Sequence, residues 1–162
     1  MAFDAFLKID GVNGEATRKG FEKQMEILSF SWGASNPSTI GAGGGGGGGG
    51  KVSVSSFNVM KKSDAASPIL FQACCKGDHF AKAAVTLNKA AGANALDFIK
   101  YEFEEVYVDS VQWSGSSGGD DTPTESVSFS FGKVAITYTP QNKDGSKGSP
   151  AVGAWDLTAV SA

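Results

Sequence analysis

The chain has 162 residues, of which 41% are hydrophobic and 19% charged, with a formal net charge of −3. This balance suits one globular domain with its own core and excludes a disordered chain. No block of Lys and Arg is present, which argues against a nucleic-acid partner, because a phosphate backbone rewards clustered positive charge.

The N-terminal stretch MAFDAFLKID has neither a basic start nor a long apolar core, so it does not read as a secretory signal. No run reaches the roughly 18 apolar residues that a membrane-spanning helix needs. Phe3, Ala5, Leu7 and Ile9 alternate and predict a first strand. The glycine-containing connection DGVNGEATRKG follows, and then a second strand region, EKQMEILSFSWGAS.

The next segment, GAGGGGGGGGKVSVSS over 41–56, invites a phosphate-binding reading. Gly45 to Lys51 satisfies the first seven positions of Gly-x-x-x-x-Gly-Lys-[Ser/Thr]. The eighth is Val52, which has no hydroxyl for a magnesium ion. A helix should follow, yet Val52 and Val54 alternate with polar residues as in a strand. Eight glycines are also entropically costly to hold as a fixed cradle. The segment reads instead as a surface loop between strands.

After KVSVSSFNVMKK comes the one good helix, SPILFQACCKG. Ser67 is placed to cap it, Pro68 stands at its first position and Gly77 supplies a left-handed stop. Ile69, Leu70, Ala73 and Cys74 form a stripe at helical spacing. Further strands follow in AKAAVTLNKA, ALDFIKYEFEEVYVDSVQW, ESVSFSFGKVAITYTP and VGAWDL. About seven strands and one helix predict a mainly β protein.

Several strands change the phase of their alternation partway. Met25 and Ile27 give way to Leu28, Phe30 and Trp32, and Val52 and Val54 to Phe57 and Val59. Ile99, Tyr101 and Phe103 give way to Val106 and Val108. Val127, Phe129 and Phe131 give way to Val134, Ile136 and Tyr138, with Gly132 at the break. A one-residue slip sends a side chain to the opposite face. Either bulges correct these breaks or the strands bend from one sheet into another. Both devices are typical of small closed barrels.

Chemical signatures are weak. Cys74, Cys75, Asp78 and His79 match no zinc spacing, and His79 is the sole histidine. The two adjacent cysteines do not form a disulfide framework, which points to a reducing folding compartment. Cys74 reads as a small core residue and His79 as the start of the next strand. No Gly-x-Ser-x-Gly elbow is present. Glu102 and Glu104 share a strand face that reads as solvated. No pattern rises to an enzyme, a metal site or a cofactor site. The serines of two strands, Ser29 and Ser31 and then Ser126, Ser128 and Ser130, alternate with core aromatics and offer small uncharged faces.

Taken in order, MAFDAFLKIDGVNGEA, ILSFSWGAS, the helix ending near KGDHF, TESVSFSFGKVAITYTPQ and the final GAWDL resemble the Hcp (haemolysin-coregulated protein) family. This is the inner-tube protein of the bacterial type VI secretion system. The resemblance runs along essentially the whole chain. It implies a small closed β-barrel of two curved antiparallel sheets, with one short helix packed on its side and an extended Gly-rich loop. It also implies a single domain over 1–162, with the loop at 35–51 and no C-terminal toxin extension.

The same resemblance implies hexameric rings that stack into a tube, inside a contractile sheath and below a VgrG-type spike. The tube is expelled and can carry small effector proteins in its lumen. The protein would fold in the cytoplasm and leave without a signal peptide. Ser29 and Ser31 are then candidates to face lumen and cargo. Ser35, Asn36, Ser38, Ile40 and Lys51 are candidates for the ring-stacking loop. The alternatives are a monomeric β-barrel that binds a small ligand in its interior and a hydrolase or metal enzyme centred on Cys75 and His79.

Overall fold

The computed structural model describes residues 3–37, 50–91, 94–119 and 121–162. Ten strands and one helix run in chain order. They are β1 (Asp4–Ile9), β2 (Met25–Ile27), β3 (Ser29–Ser31), β4 (Ala34–Ser35), β5 (Ser53–Val54) and β6 (Phe57–Lys62), then α1 (Ser67–Lys76), then β7 (His79–Ala91), β8 (Asn94–Ser114), β9 (Thr124–Tyr138) and β10 (Ala151–Asp156). Eight of the strands form one antiparallel sheet ordered β2-β1-β7-β8-β9-β6-β3, with β10 added to β9. The other two, β4 and β5, form a hairpin.

The sheet curls because β2 and β3, its two ends, are separated in sequence only by Leu28. Leu7 pairs with Met25 and Ala5 with Ile27, whereas Ser29 pairs with Met60 and Ser31 with Asn58. The Leu28 N–H donates to the Met60 carbonyl at 2.7 Å. One short segment thus changes partner from β1 to β6, and the first phase break, at Leu28, is where it does so. The result is a nearly closed barrel.

The breaks on β8 and β9 form its corner. On β8, Glu104 pairs with Lys133 and Val106 with Phe131, which leaves Glu105 opposite Gly132. Glu105 has a φ of 55°, and Phe103 and Val106 on either side are both buried. A Cβ on Gly132 would lie 2.6 Å from a Glu105 carboxylate oxygen, so the glycine makes room for that side chain. Beyond the corner, β8 and β9 continue as a second curved face. The two expected sheets are therefore two halves of one, joined by these long strands. A bulge at Asp109 then shifts the register between Val108 and Ser110.

The barrel interior is filled by aromatic rings. Phe57, Phe103 and Phe129 lie 5.1–5.4 Å apart centre to centre, and all three are buried. Tyr101 packs against Phe57, and burial raises its hydroxyl pKa. Outside β1, the chain after Val12 folds back over the strand. Phe6 stacks on Phe21 at 4.2 Å, and Arg18 reaches both Asp4 and, at 2.6 Å, the Asn88 side-chain oxygen.

Helix α1 packs chiefly on β8 through Leu70 and Ala73. Gly77 stops it in the left-handed region at φ 70°, its N–H donating to the Ala73 carbonyl. Ser67 does not cap the helix. It is the first helical residue and is buried, and its hydroxyl accepts the Asp64 N–H at 2.9 Å. Asp64 has taken the local role by accepting the Ala66 N–H at 3.0 Å. Ile69, expected on the packed stripe, is exposed.

Candidate functional site

Register joins the two serine faces into one wall. Ser29 pairs with Met60, Met60 with Ser126, and Ser126 with Gln112. One rung along, Ser31 pairs with Asn58, Asn58 with Ser128, and Ser128 with Ser110. Directly opposed residues project to the same face, so these two four-residue rows lie side by side across β3, β6, β9 and β8. None of the eight side chains is charged. Ser29 and Ser31 are exposed, and Asn58, Ser126 and Ser128 are half-buried. The Ser128 hydroxyl donates to the Asn58 side-chain oxygen. At the edge of the wall the bulged Asp109 carboxylate accepts from Ser56 at 2.6 Å and Ser130 at 2.9 Å. The first negative charge met there is thus already engaged with neighbouring hydroxyls.

Sequence alternation revealed the serines but not Asn58, Met60, Ser110 and Gln112. Ser110 and Gln112 follow the bulge at Asp109, Asn58 and Met60 follow the phase change before β6, and only the pairing shows which strands are neighbours.

The other half of the outer surface differs. Lys82, Glu104, Lys133 and Asp156 form a row of alternating charge across β7, β8, β9 and β10. Lys133 lies 3.7 Å from both Glu104 and Asp156, and Lys100 lies 3.2 Å from Glu102. Glu102 and Glu104 therefore belong to a solvated charged face, as their strand positions suggested. A hollow of about 500 Å³ opens on this charged face.

Opposite charges also meet inside. Lys61 and Glu125 are register partners with fully buried, ion-paired side chains. Lys61 also reaches Asp64 at 2.8 Å, and the Ser67 hydroxyl donates to Glu125 at 2.8 Å. This cluster ties the start of α1 to β6 and β9.

Ser35 lies on β4 and is exposed, as are Asn36 and Lys51. Ser38 and Ile40 lie outside the described residues. Cys75 is exposed, the Cys74 thiol lies 3.6 Å from the Asp109 carbonyl, and His79 packs on Tyr107 at 3.9 Å. Among the described residues no group of three or more His, Cys, Asp or Glu is arranged to hold a metal ion, and no helix is long and apolar enough to cross a membrane. The barrel interior, where a small ligand would sit in the monomeric alternative, is occupied by the phenylalanine rings.

Comparison with known proteins adds four similarities. The family described as "Type VI secretion system effector, Hcp" matches residues 6–138. Protein hcp1 of Pseudomonas aeruginosa is 39% identical over 158 residues, covering 97% of this chain and 96% of that protein. Among solved structures, a type six secretion system protein superposes with a TM-score of 0.92 at 36% identity, covering 98% of each chain. Hcp1 from Salmonella typhimurium does so with a TM-score of 0.79 at 32% identity, covering 99% of this chain and 98% of that one.

Proposed function

From the premise that this chain belongs to the Hcp family, whose members are subunits of the type VI secretion tube, we propose that six copies close into a ring whose lumen is lined by the serine wall. Family membership makes it a secreted structural protein and argues against catalysis. It also disfavours the monomeric ligand-binding barrel. In this reading each subunit is one folded domain, assembled into rings in the cytoplasm and exported by the machine. Its partners are further rings, a contractile sheath, a VgrG-type spike and small effector proteins.

The observation that carries the lumen reading is the pair of uncharged rows through Ser29 and Ser31. A channel that passes different cargoes gains from a wall with no strong fixed charge, because every buried charge must find a partner. Hydroxyl and amide groups instead exchange hydrogen bonds with water and cargo at little net cost. The charged half of the barrel would then face outward. In this reading the hairpin that includes Ser35, with Asn36 and Lys51 next to it in sequence, would reach the adjacent ring, and Ser38 and Ile40 follow in the glycine-rich sequence.

The test is the native mass of the purified protein by light scattering, with negative-stain images of the same peak. A mass near six subunits with annular particles is expected. A monomer at high concentration would overturn the ring.

A further inference from the structure

A ring closed by head-to-tail contacts needs two different patches on each subunit that fit one another. The described surface carries an exposed aromatic cluster, the knob, and an apolar hollow. Phe71, 52% exposed on α1, packs against the exposed Trp113 of β8 with ring centres 5.9 Å apart, and the exposed Ile69 stands on the same helix. These three side chains lie outside the core cluster and remain substantially exposed, although Trp113 stands in register beside the buried Glu125.

The second is a hollow of about 300 Å³ between the β4–β5 hairpin and the β9–β10 ribbon. Trp32, Val52, Val54, Ile136 and Trp155 line it, and no charged residue does. Its floor includes Gly153, where an added Cβ would have no heavy atom within 4 Å. The backbone there is not in the left-handed region, so the space is open and available to a side chain.

We infer that the Phe71–Trp113 knob of one subunit seats in the Gly153 hollow of the next, and that this contact closes the ring. The inference rests on the tube-subunit reading, which requires a second copy of this chain as neighbour. Complementarity argues for this occupant. The three exposed side chains and the lining of this hollow are all uncharged, whereas the hollow of about 500 Å³ on the charged face is walled by lysines and carboxylates that apolar rings would have to desolvate. A hollow near the lower end of the ~300–1,000 Å³ range of ligand pockets suits one or two side chains. Exposed aromatics seated in a neighbour's pocket are also the usual anchors of an interface. The two patches are built from different strands, so the contact is heterologous and each subunit uses both.

Each patch can be disabled by a single substitution. Phe71→Glu changes an exposed helix residue, and Gly153→Leu fills open space on an edge strand. Each variant alone should lose ring-sized mass, with association weakened roughly tenfold or more. Mixed in equal amounts, they should restore one intact contact per pair. The Gly153→Leu knob fits the Phe71→Glu hollow, while the remaining ends are both blocked. Light scattering of the mixture should therefore give the mass of two subunits and no more. Either variant keeping the mass of the unaltered protein would overturn this pairing while leaving the tube reading intact, and so would a mixture that stays monomeric or regains rings. An unaltered protein that stays monomeric at high concentration would overturn both.

Discussion

Lys61 and Glu125 face each other across β6 and β9, and their ion pair lies wholly out of solvent. Removing two charges from water costs several kcal/mol each, so such a pair adds little net stability while punishing the loss of either partner. Lys61→Met should leave Glu125 buried with only serine hydroxyls and destabilise the fold by about 3–5 kcal/mol. The double variant Lys61→Met/Glu125→Leu should recover most of that loss, because no isolated charge remains. Urea unfolding of the single and double variants measures both values. A double variant as unstable as the single one would show that the network to Asp64 and Ser67 is itself needed.

Gly14 and Gly153 make opposite demands. A Cβ on Gly14 would lie 2.5 Å from the Gln24 carbonyl oxygen and 2.8 Å from the Met25 side chain. The oxygen belongs to a backbone fixed by the Ala16 N–H, which donates to it at 3.0 Å. Gly14→Ala should therefore destabilise the protein by about 1–3 kcal/mol through overpacking. Gly153→Ala meets nothing and should change stability by about 0.5 kcal/mol or less. Thermal unfolding of the two variants side by side checks the contrast.

Much of this fold was legible in alternation. Three of the phase breaks marked real events: the change of partner at Leu28, and the corner at Glu105 and Gly132. What alternation could not show was that the last two breaks face each other, since register depends on pairing between distant segments. The same limit hid the wall. Ser29, Ser31 and the serines of β9 were visible, but Asn58 and Met60, which join them, only become neighbours through the β3–β6 and β6–β9 pairings. The buried ion pair was nearer to hand. Lys61 continues the inward parity of Phe57 and Val59, and Glu125 that of Val127 and Phe129. Two opposite charges on inward positions could have been matched. Ser67 misled because Asp64, three residues earlier, competes for the same backbone groups.

If the serine wall lines the lumen as proposed, it should be spoiled by charge. Ser31 is exposed, so Ser31→Glu can extend into solvent without straining the barrel. Ring mass should be unchanged, and the amount of effector protein co-purified with the ring should fall about tenfold, as expected where a buried carboxylate meets no partner. Glu26→Gln serves as a control, because it alters an exposed β2 residue outside the wall. Cargo held normally by Ser31→Glu would remove Ser31 from the lumen.

The C-terminal turn should respond to acid through Asp156. Its carboxylate accepts the Thr158 hydroxyl at 2.6 Å and the Thr158 and Ala159 N–H groups at 2.9 and 3.1 Å, and its backbone N–H donates to Ser161. The Thr158 hydroxyl is the largest of the influences that hold its pKa below the ordinary carboxylate value, followed by the Ala159 N–H, while Lys133 adds a smaller attraction. A carboxylate whose folded pKa is depressed contributes stability above its unfolded pKa and loses it as pH falls through the folded one. The turn over 157–161 should therefore stay ordered at neutral pH and loosen only below the usual range of carboxylate titration. Amide chemical shifts of Thr158 and Ala159 followed from pH 7 downward would report it. In Asp156→Asn, which keeps an acceptor oxygen but cannot titrate, those shifts should be flat over the same window. A transition that persists in that variant would assign the acid response to another carboxylate.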